Sequence, residues 1–248
     1  MRAIDRSAHT NRWRHWPAAE KLVVCTGLML VSLLAAGWAG QVIILAGLVA
    51  ALLAGARVRP GDLARAAMVP VGFIATSTLA QMVTLDLSTG WPVFGIAGPE
   101  ARLQALFVGQ RSLTCVTALL ALALTTPLTS ILQLFQRRGL AGDIGDIALM
   151  MFRIIWLVLD CLEAGQRAQA ARLGHEGARR MIRSNGRLLA CLLPRVLDRA
   201  QRMNTGLGVR GYDGTLRFVS VEAAASAPRI AGLCSGLVVL ALGLAQLG

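Results

Sequence analysis

Five long apolar runs set the first limit on what this chain can fold into. They are Leu22 to Trp38, Gln41 to Val58, Ala66 to Leu85, Ser112 to about Leu132, and Ile230 to Leu247. Each approaches the roughly 20 residues that a helix needs to cross the hydrocarbon core of a bilayer. Composition points the same way. Of the 248 residues 55% are hydrophobic and 15% charged, and mean hydropathy is +0.60, whereas a soluble domain carries about 25% charged residues. An all-α polytopic membrane protein with five spans is the expectation.

The basic residues Arg2, Arg6, Arg12, Arg14 and Lys21 stand ahead of the first run, with small residues Ala35, Ala36 and Gly37 near its end. That is the outline of a signal peptide, but the run is long for one and more membrane follows, so no cleavage is expected. A tight turn around Gly40 would fold the first two runs into a helical hairpin. Pro70 and Pro127 should kink their helices, with Thr125, Thr126 and Thr129 near enough to satisfy the carbonyls that Pro127 frees.

Net charge is +12, and Lys21 is the only lysine among 25 basic residues. With several apolar spans present, such a balance sets orientation in a bilayer and is not a nucleic-acid footprint. An N-terminus inside puts Arg57, Arg59 and Arg65 inside as well. The segment Asp86 to Arg111 then lies outside, and the 15 arginines after Phe135 return to the inside.

Gln136 to Ala227 differs from the rest. Ile147 to Leu159 is apolar except for Arg153, but 13 residues of helix cover only about 20 Å. It reads as an amphipathic interfacial helix that continues into the polar stretch Glu163 to Arg172. A second helix is expected from about Glu176 to Met203. Leu188, Leu192 and Val196, with Leu189, Leu193 and Leu197 one residue on, would form its apolar face. Gly174 and Gly177 would supply the turn between the two. The domain reading is a membrane domain over 1–135, a cytoplasmic coupling domain over 136–227 and a last span over 228–248.

Several chemistries find no support. The letters Gly206-Leu-Gly208-Val-Arg-Gly211 match a dinucleotide fingerprint, but they end an arginine-rich helix instead of following a strand, and read as glycines closing that helix. A P-loop needs lysine followed by Ser or Thr, and Lys21 precedes Leu22. His9, His15 and His175 have no ligand spacing, and Cys25, Cys115, Cys161, Cys191 and Cys234 read as small buried apolar residues. No catalytic residue, metal site or cofactor is expected. What remains is a pair of arginines flanked by small residues, in Ala171-Arg172-Leu173-Gly174 after the first helix and Val209-Arg210-Gly211-Tyr212 after the second. An arginine at a helix end presents a five-donor fork that suits a carboxylate in a partner's groove.

Met1 to Arg14 and Pro17 to Lys21 are similar to the start of CbiQ proteins. Thr125-Thr126-Pro127 followed by Phe135 to Leu140 resembles that family's passage into its coupling region. Arg199-Ala-Gln-Arg202 through Val209 to Gly214 resembles the second of two short arginine motifs in the transmembrane coupling subunits of energy-coupling factor transporters. The resemblance implies a non-catalytic subunit of a bacterial inner-membrane cobalt transporter. It would join a CbiM-like substrate-binding membrane subunit, with a small CbiN-like accessory subunit, to two cytoplasmic CbiO-like ATPases. Its partners would thus be these subunits and membrane lipid, with no nucleic acid. A coupling subunit for nickel or a vitamin such as biotin is the alternative, and a membrane-anchored basic helical binding protein is the rival from another class. The motif arginines carried over are Arg172 and Arg210, flanked by Ala171, Gly174, Val209 and Gly211. The first motif is usually Ala-Arg-Gly, and Leu173 here separates Arg172 from Gly174. Arg167 is the other register.

Overall fold

A computed structural model describes residues 11–35, 37–86, 93–96, 98–137, 142–172, 177–211 and 226–245. The described residues form eight α-helices and one small hairpin. They are α1 (Ala18–Leu34), α2 (Trp38–Ala50, continued by a π-turn over Ala51–Gly55), α3 (Pro60–Gln81), β1 (Val83–Asp86), β2 (Val93–Ile96) and α4 (Pro99–Thr125). Then come α5 (Leu128–Arg137), α6 (Gly142–Ala171), α7 (Ala178–Val209) and α8 (Ala227–Ala245). The chain divides into two compact units, Met1–Ile131 with Ser220–Gly248, and Leu132–Val219.

The first unit is a helix bundle. α4 packs against α1, α2 and α3, and α8 packs on α1. Small residues make this possible. Thr114, Thr117, Ala118, Ala121 and Thr125 are all buried along one stripe of α4, and side chains this small let helix backbones approach closely in lipid. Ile44, Leu48 and Leu52 of α2 fill the core beside Ala118, Ala121 and Leu124. The outer surface is apolar: Met68, Val69 and Phe73 on α3 are 75%, 78% and 75% exposed. An apolar exterior of this kind belongs against lipid.

Among the described residues, four helices are long and apolar enough to cross a membrane: Trp38–Gly55, Pro60–Gln81, Pro99–Thr125 and Ala227–Leu244. The fifth expected span is α1, at 17 residues, the short end of the usual range of about 17–25. α6, which holds Ile147 to Leu159, is not among them. Leu237 lies against Gly27 and Leu244 against Gly40, so α8 runs parallel to α1.

Several boundaries differ from the expectation. The turn between α1 and α2 falls at Ala35 to Gly37, not at Gly40, which is inside α2. Gln41 explains the shift: its buried amide donates to the carbonyls of Ser32 at 2.6 Å and Ala35 at 3.3 Å, closing α1 from inside. The fourth span begins at Pro99, not Ser112. Proline at the first helical turn and Glu100 beside it suit a helix N-terminus. It is preceded by a β-hairpin in which Val83 pairs with Ile96 and Asp86 with Val93, an element the sequence reading did not contain.

Pro127 ends α4 where a kink was expected, and Pro70 is accommodated inside α3. Proline disfavours helical backbone at the residue before it, and Thr126 is extended (φ −126°, ψ 118°). Thr125 Oγ1 donates to the Ala121 carbonyl at 2.6 Å, which is not a carbonyl that Pro127 frees, and residues far away in sequence close the helix end. Asn11 Nδ2 donates to the carbonyls of Leu124 at 3.1 Å and Thr125 at 3.3 Å, and Lys21 Nζ to Thr125 at 3.1 Å. A cation also suits the negative end of a helix dipole. Of the five free cysteines, Cys191 and Cys234 are exposed on the outer faces of α7 and α8, contrary to the buried reading.

The closest approach of α3 and α4 supplies a stability prediction. A Cβ on Gly109 would lie 2.5 Å from Thr78 Oγ1, whereas one on Gly72 of α3 would meet nothing within 4 Å. Gly109→Val is expected to destabilise the bundle by about 1–3 kcal/mol through overpacking, and Gly72→Val much less. Thermal unfolding of both proteins in the same detergent checks this; equal losses would mean that the contact is not limiting.

Candidate functional site

The second unit is dominated by α6 and α7, of 30 and 32 residues. Leu188 and Leu192 are the buried apolar residues of α7, and Leu149 is buried in α6. A Cβ on Gly165 of α6 would stand 2.3 Å from Leu188 Cδ1, so glycine is what lets the helices meet there. Farther along, Ile154 and Leu157 line the same hollow as Met203 and Leu207. The two helices therefore run antiparallel. Leu189, Leu193 and Leu197 are 60%, 64% and 55% exposed, so the second leucine row does not share the packed face. Positions one residue apart point about 100° apart around a helix, and α6 covers only one row.

α7 is longer than expected, running from Ala178 through Val209. Gly177, at φ +83°, is its N-cap; Gly174 lies outside the described residues. Gly206 and Gly208 are inside the helix, and Gly211 alone of the three closes it, with φ +71° and its N–H donating to the Gly208 carbonyl at 3.1 Å. That left-handed conformation is the usual role of glycine after a helix.

Each arginine site sits on a helix C-terminus. Ala171 is the last residue of α6, and the Arg172 N–H donates to the Gln169 carbonyl at 3.1 Å. Val209 is the last residue of α7, where it had been expected after the helix. Arg210 is the C-cap (φ −90°, ψ 12°), its N–H bonded to the Leu207 carbonyl at 3.0 Å. Both arginines are exposed, and no ion pair holds either of them among the described residues. Arg167, one turn inside α6, is paired with Glu163 at 3.7 Å. The structure does not bring Arg172 and Arg210 together. In an antiparallel pair they close opposite ends, separated by about the length of α7, which at 1.5 Å per residue is roughly 45 Å.

Among the described residues, no three His, Cys, Asp or Glu gather where a metal ion would sit. The sequence reading missed the Asn11–Lys21 closure of α4 and a hollow around Gly206. The one signal for the first was that the only lysine stands beside Glu20 at the start of an apolar run.

Residues 9–219 match the family model of CbiQ, a cobalt transport protein. The chain belongs to the CbiQ family. It is 35% identical over 231 residues to the cobalt transport protein CbiQ of Rhodobacter capsulatus, covering 93% of this chain and 92% of the relative. The CbiQ of Salmonella typhimurium is 27% identical over 227 residues, covering 86% of this chain and 98% of its own. A putative fused cobalt transport protein CbiMQ of Methanocorpusculum labreanum is 26% identical over 129 residues, 52% of this chain and 21% of its own. The family match takes in the four-helix core of the bundle and both arginine sites, and stops short of α8. This is a multi-pass membrane component of cobalt transport.

Proposed function

We propose that this CbiQ protein is the transmembrane coupling subunit of an energy-coupling factor transporter for cobalt, acting on two cytoplasmic ATPases through the α6–α7 pair. One observation carries the reading: two exposed arginines, with no ion pair among the described residues, close opposite ends of an antiparallel helix pair. Held roughly 45 Å apart by the rise of α7, they are spaced to engage two separate proteins at once. A guanidinium at a helix end reaches into a groove and pairs with a carboxylate in bidentate fashion. Closure of the ATPases on ATP then moves the two ends of the pair, and the residues 136–227 pass that motion to a substrate-binding membrane subunit. The exposed state of Arg172, against the Glu163-paired Arg167, favours Arg172 as the first contact.

A CbiM-like subunit is the natural substrate-binding partner, since one relative is named as a fusion of the two. The two ATPases and a small CbiN-like subunit complete the assembly. The test is purification of a tagged chain from cells expressing the whole set. Stable recovery of two ATPase copies per chain is expected; recovery of the membrane subunit with no ATPase would defeat the reading.

Orientation follows from charge at the two ends of the bundle. Arg12 donates from its backbone to the Ala56 carbonyl at 3.3 Å, and Asn11 reaches Leu124. The starts of α1 and α3 and the ends of α2 and α4 therefore share one end with Arg57, Arg59 and Arg65, and that end is cytoplasmic. Thr89→Cys, in a background without the native cysteines, is expected to label from the periplasmic side of intact cells. Labelling only after permeabilisation would reverse the map.

A further inference from the structure

We propose that the hollow between α6 and α7 binds the phosphate group of an anionic phospholipid. Its volume is about 480 Å³, and Arg153, Arg199, Arg202 and Arg210 line it against a single carboxylate, Asp160. Four guanidinium groups around one carboxylate leave a space that favours an anion, and their planar forks match the oxygens of a phosphate. Arg202 also pairs with Asp198, and with Asp160 and Asp198 both counted the arginines still outnumber the carboxylates.

Helical spacing explains how the hollow arises. Arg199, Arg202, Gly206 and Arg210 are three, four and four residues apart, so they share one face of α7. Glycine stands in the middle of that row. A Cβ there would meet nothing within 4 Å, and glycine inside a helix costs roughly 0.5–1 kcal/mol relative to alanine. The missing side chain opens the backbone to a ligand at the centre of the arginine row.

The other wall decides between a soluble phosphate and a lipid. Ile154 and Leu157 of α6, with Met203 and Leu207 of α7, give the hollow an apolar side. A soluble anion gains nothing from such a wall, whereas the glycerol and first methylenes of a phospholipid are buried by it. Arg210, which the ATPase reading assigns to a partner, also lines the hollow, so the test leaves Arg172 and Arg210 intact and measures lipid binding by the chain alone.

The experiment is native mass spectrometry of the full chain in detergent, titrated separately with cardiolipin, phosphatidylglycerol, phosphatidylcholine and inorganic phosphate. Anionic lipid is expected to bind about tenfold or more tightly than phosphatidylcholine, and Arg199→Gln with Arg202→Gln to lower that affinity about tenfold or more. Gly206→Leu fills the hollow with no change of charge and improves helix propensity, so it is expected to lower binding similarly with helicity intact. Arg183→Gln with Arg187→Gln, which removes the same charge outside the hollow, is expected to change affinity less than about twofold. Equal losses from the two arginine pairs, or undiminished binding by the Gly206→Leu protein, would overturn the site. Inorganic phosphate binding as tightly as the lipid would assign the hollow to a soluble anion and overturn the lipid. Should the Arg199/Arg202 pair misfold, lipid selectivity and Gly206→Leu decide.

Discussion

Replacing Arg172 and Arg210 together by alanine is expected to abolish cobalt uptake and weaken ATPase co-purification while leaving membrane insertion intact. Both side chains are exposed, and no ion pair holds either among the described residues, so their removal leaves no charge stranded within the chain. The loss falls on the partner. Truncating one side of a buried charge-assisted pair at an interface costs about 2–5 kcal/mol, whereas an exposed pair contributes about 0–1 kcal/mol. Arg183→Ala with Arg187→Ala removes the same charge from an exposed part of α7 away from its C-terminus and is expected to do much less. Lysine at the two positions should restore uptake in part, since it keeps the charge and loses the planar fork. Because the sites close opposite ends of the pair, each single variant is expected to weaken one ATPase contact and spare the other. Uptake measured with labelled cobalt, alongside ATPase recovery, reads both effects. Equal damage from the motif and off-motif doubles would show that the pair works through diffuse charge.

The bundle was legible in the sequence because lipid leaves little latitude: apolar runs of spanning length become helices, since every backbone group must be satisfied internally. Errors fall where a polar residue has a partner distant in sequence. The segment ahead of Ser112, through Arg111, was expected to lie outside the membrane and not in the fourth span. In the structure Arg111 donates from one terminal nitrogen to the Ala35 carbonyl at 2.9 Å and lies 4.8 Å from the centre of the Phe107 ring, so a charge inside α4 finds partners in its neighbours. Gln41 moved the first turn in the same way. No local pattern announces either contact.

The arginine sites were legible as a pattern of residue types, but their separation was not. Two equivalent helix ends in sequence are opposite ends in space once the helices run antiparallel, and that geometry makes two simultaneous partners feasible. The Gly206 hollow was hidden because its glycines were read as a helix terminus. α7 continues past Met203 because Met203 and Leu207, one turn apart, still have Ile154 and Leu157 across from them.

Lys21→Met is expected to loosen the end of α4 and lower the stability of the bundle by about 1.5–3 kcal/mol, the usual worth of a hydrogen bond from a charged group. Lys21 is only 3% exposed, and its ammonium donates to the Thr125 carbonyl. That carbonyl is the last of α4, among the four that a helix leaves without an intrahelical partner. Asn11→Ala removes the amide that bonds Leu124 and Thr125, so the double variant strips the helix end of both side-chain donors and should lose more than either single one. The effect reaches further than stability. Thr126 and Pro127 are the break between α4 and α5, and α5 leads into the unit that carries both arginines. On the coupling role proposed above, a frayed α4 end is expected to reduce how much of the motion of the α6–α7 pair reaches the bundle. The Lys21→Met protein should therefore retain ATPase binding and hydrolysis but transport less cobalt per ATP, a signature that loss of an arginine contact does not share. Thermal unfolding of the purified protein and the ratio of cobalt moved to ATP hydrolysed in proteoliposomes measure the two consequences. An unchanged ratio at reduced stability would make the lysine a structural brace alone, and unchanged stability would mean that the Thr125 carbonyl finds another donor.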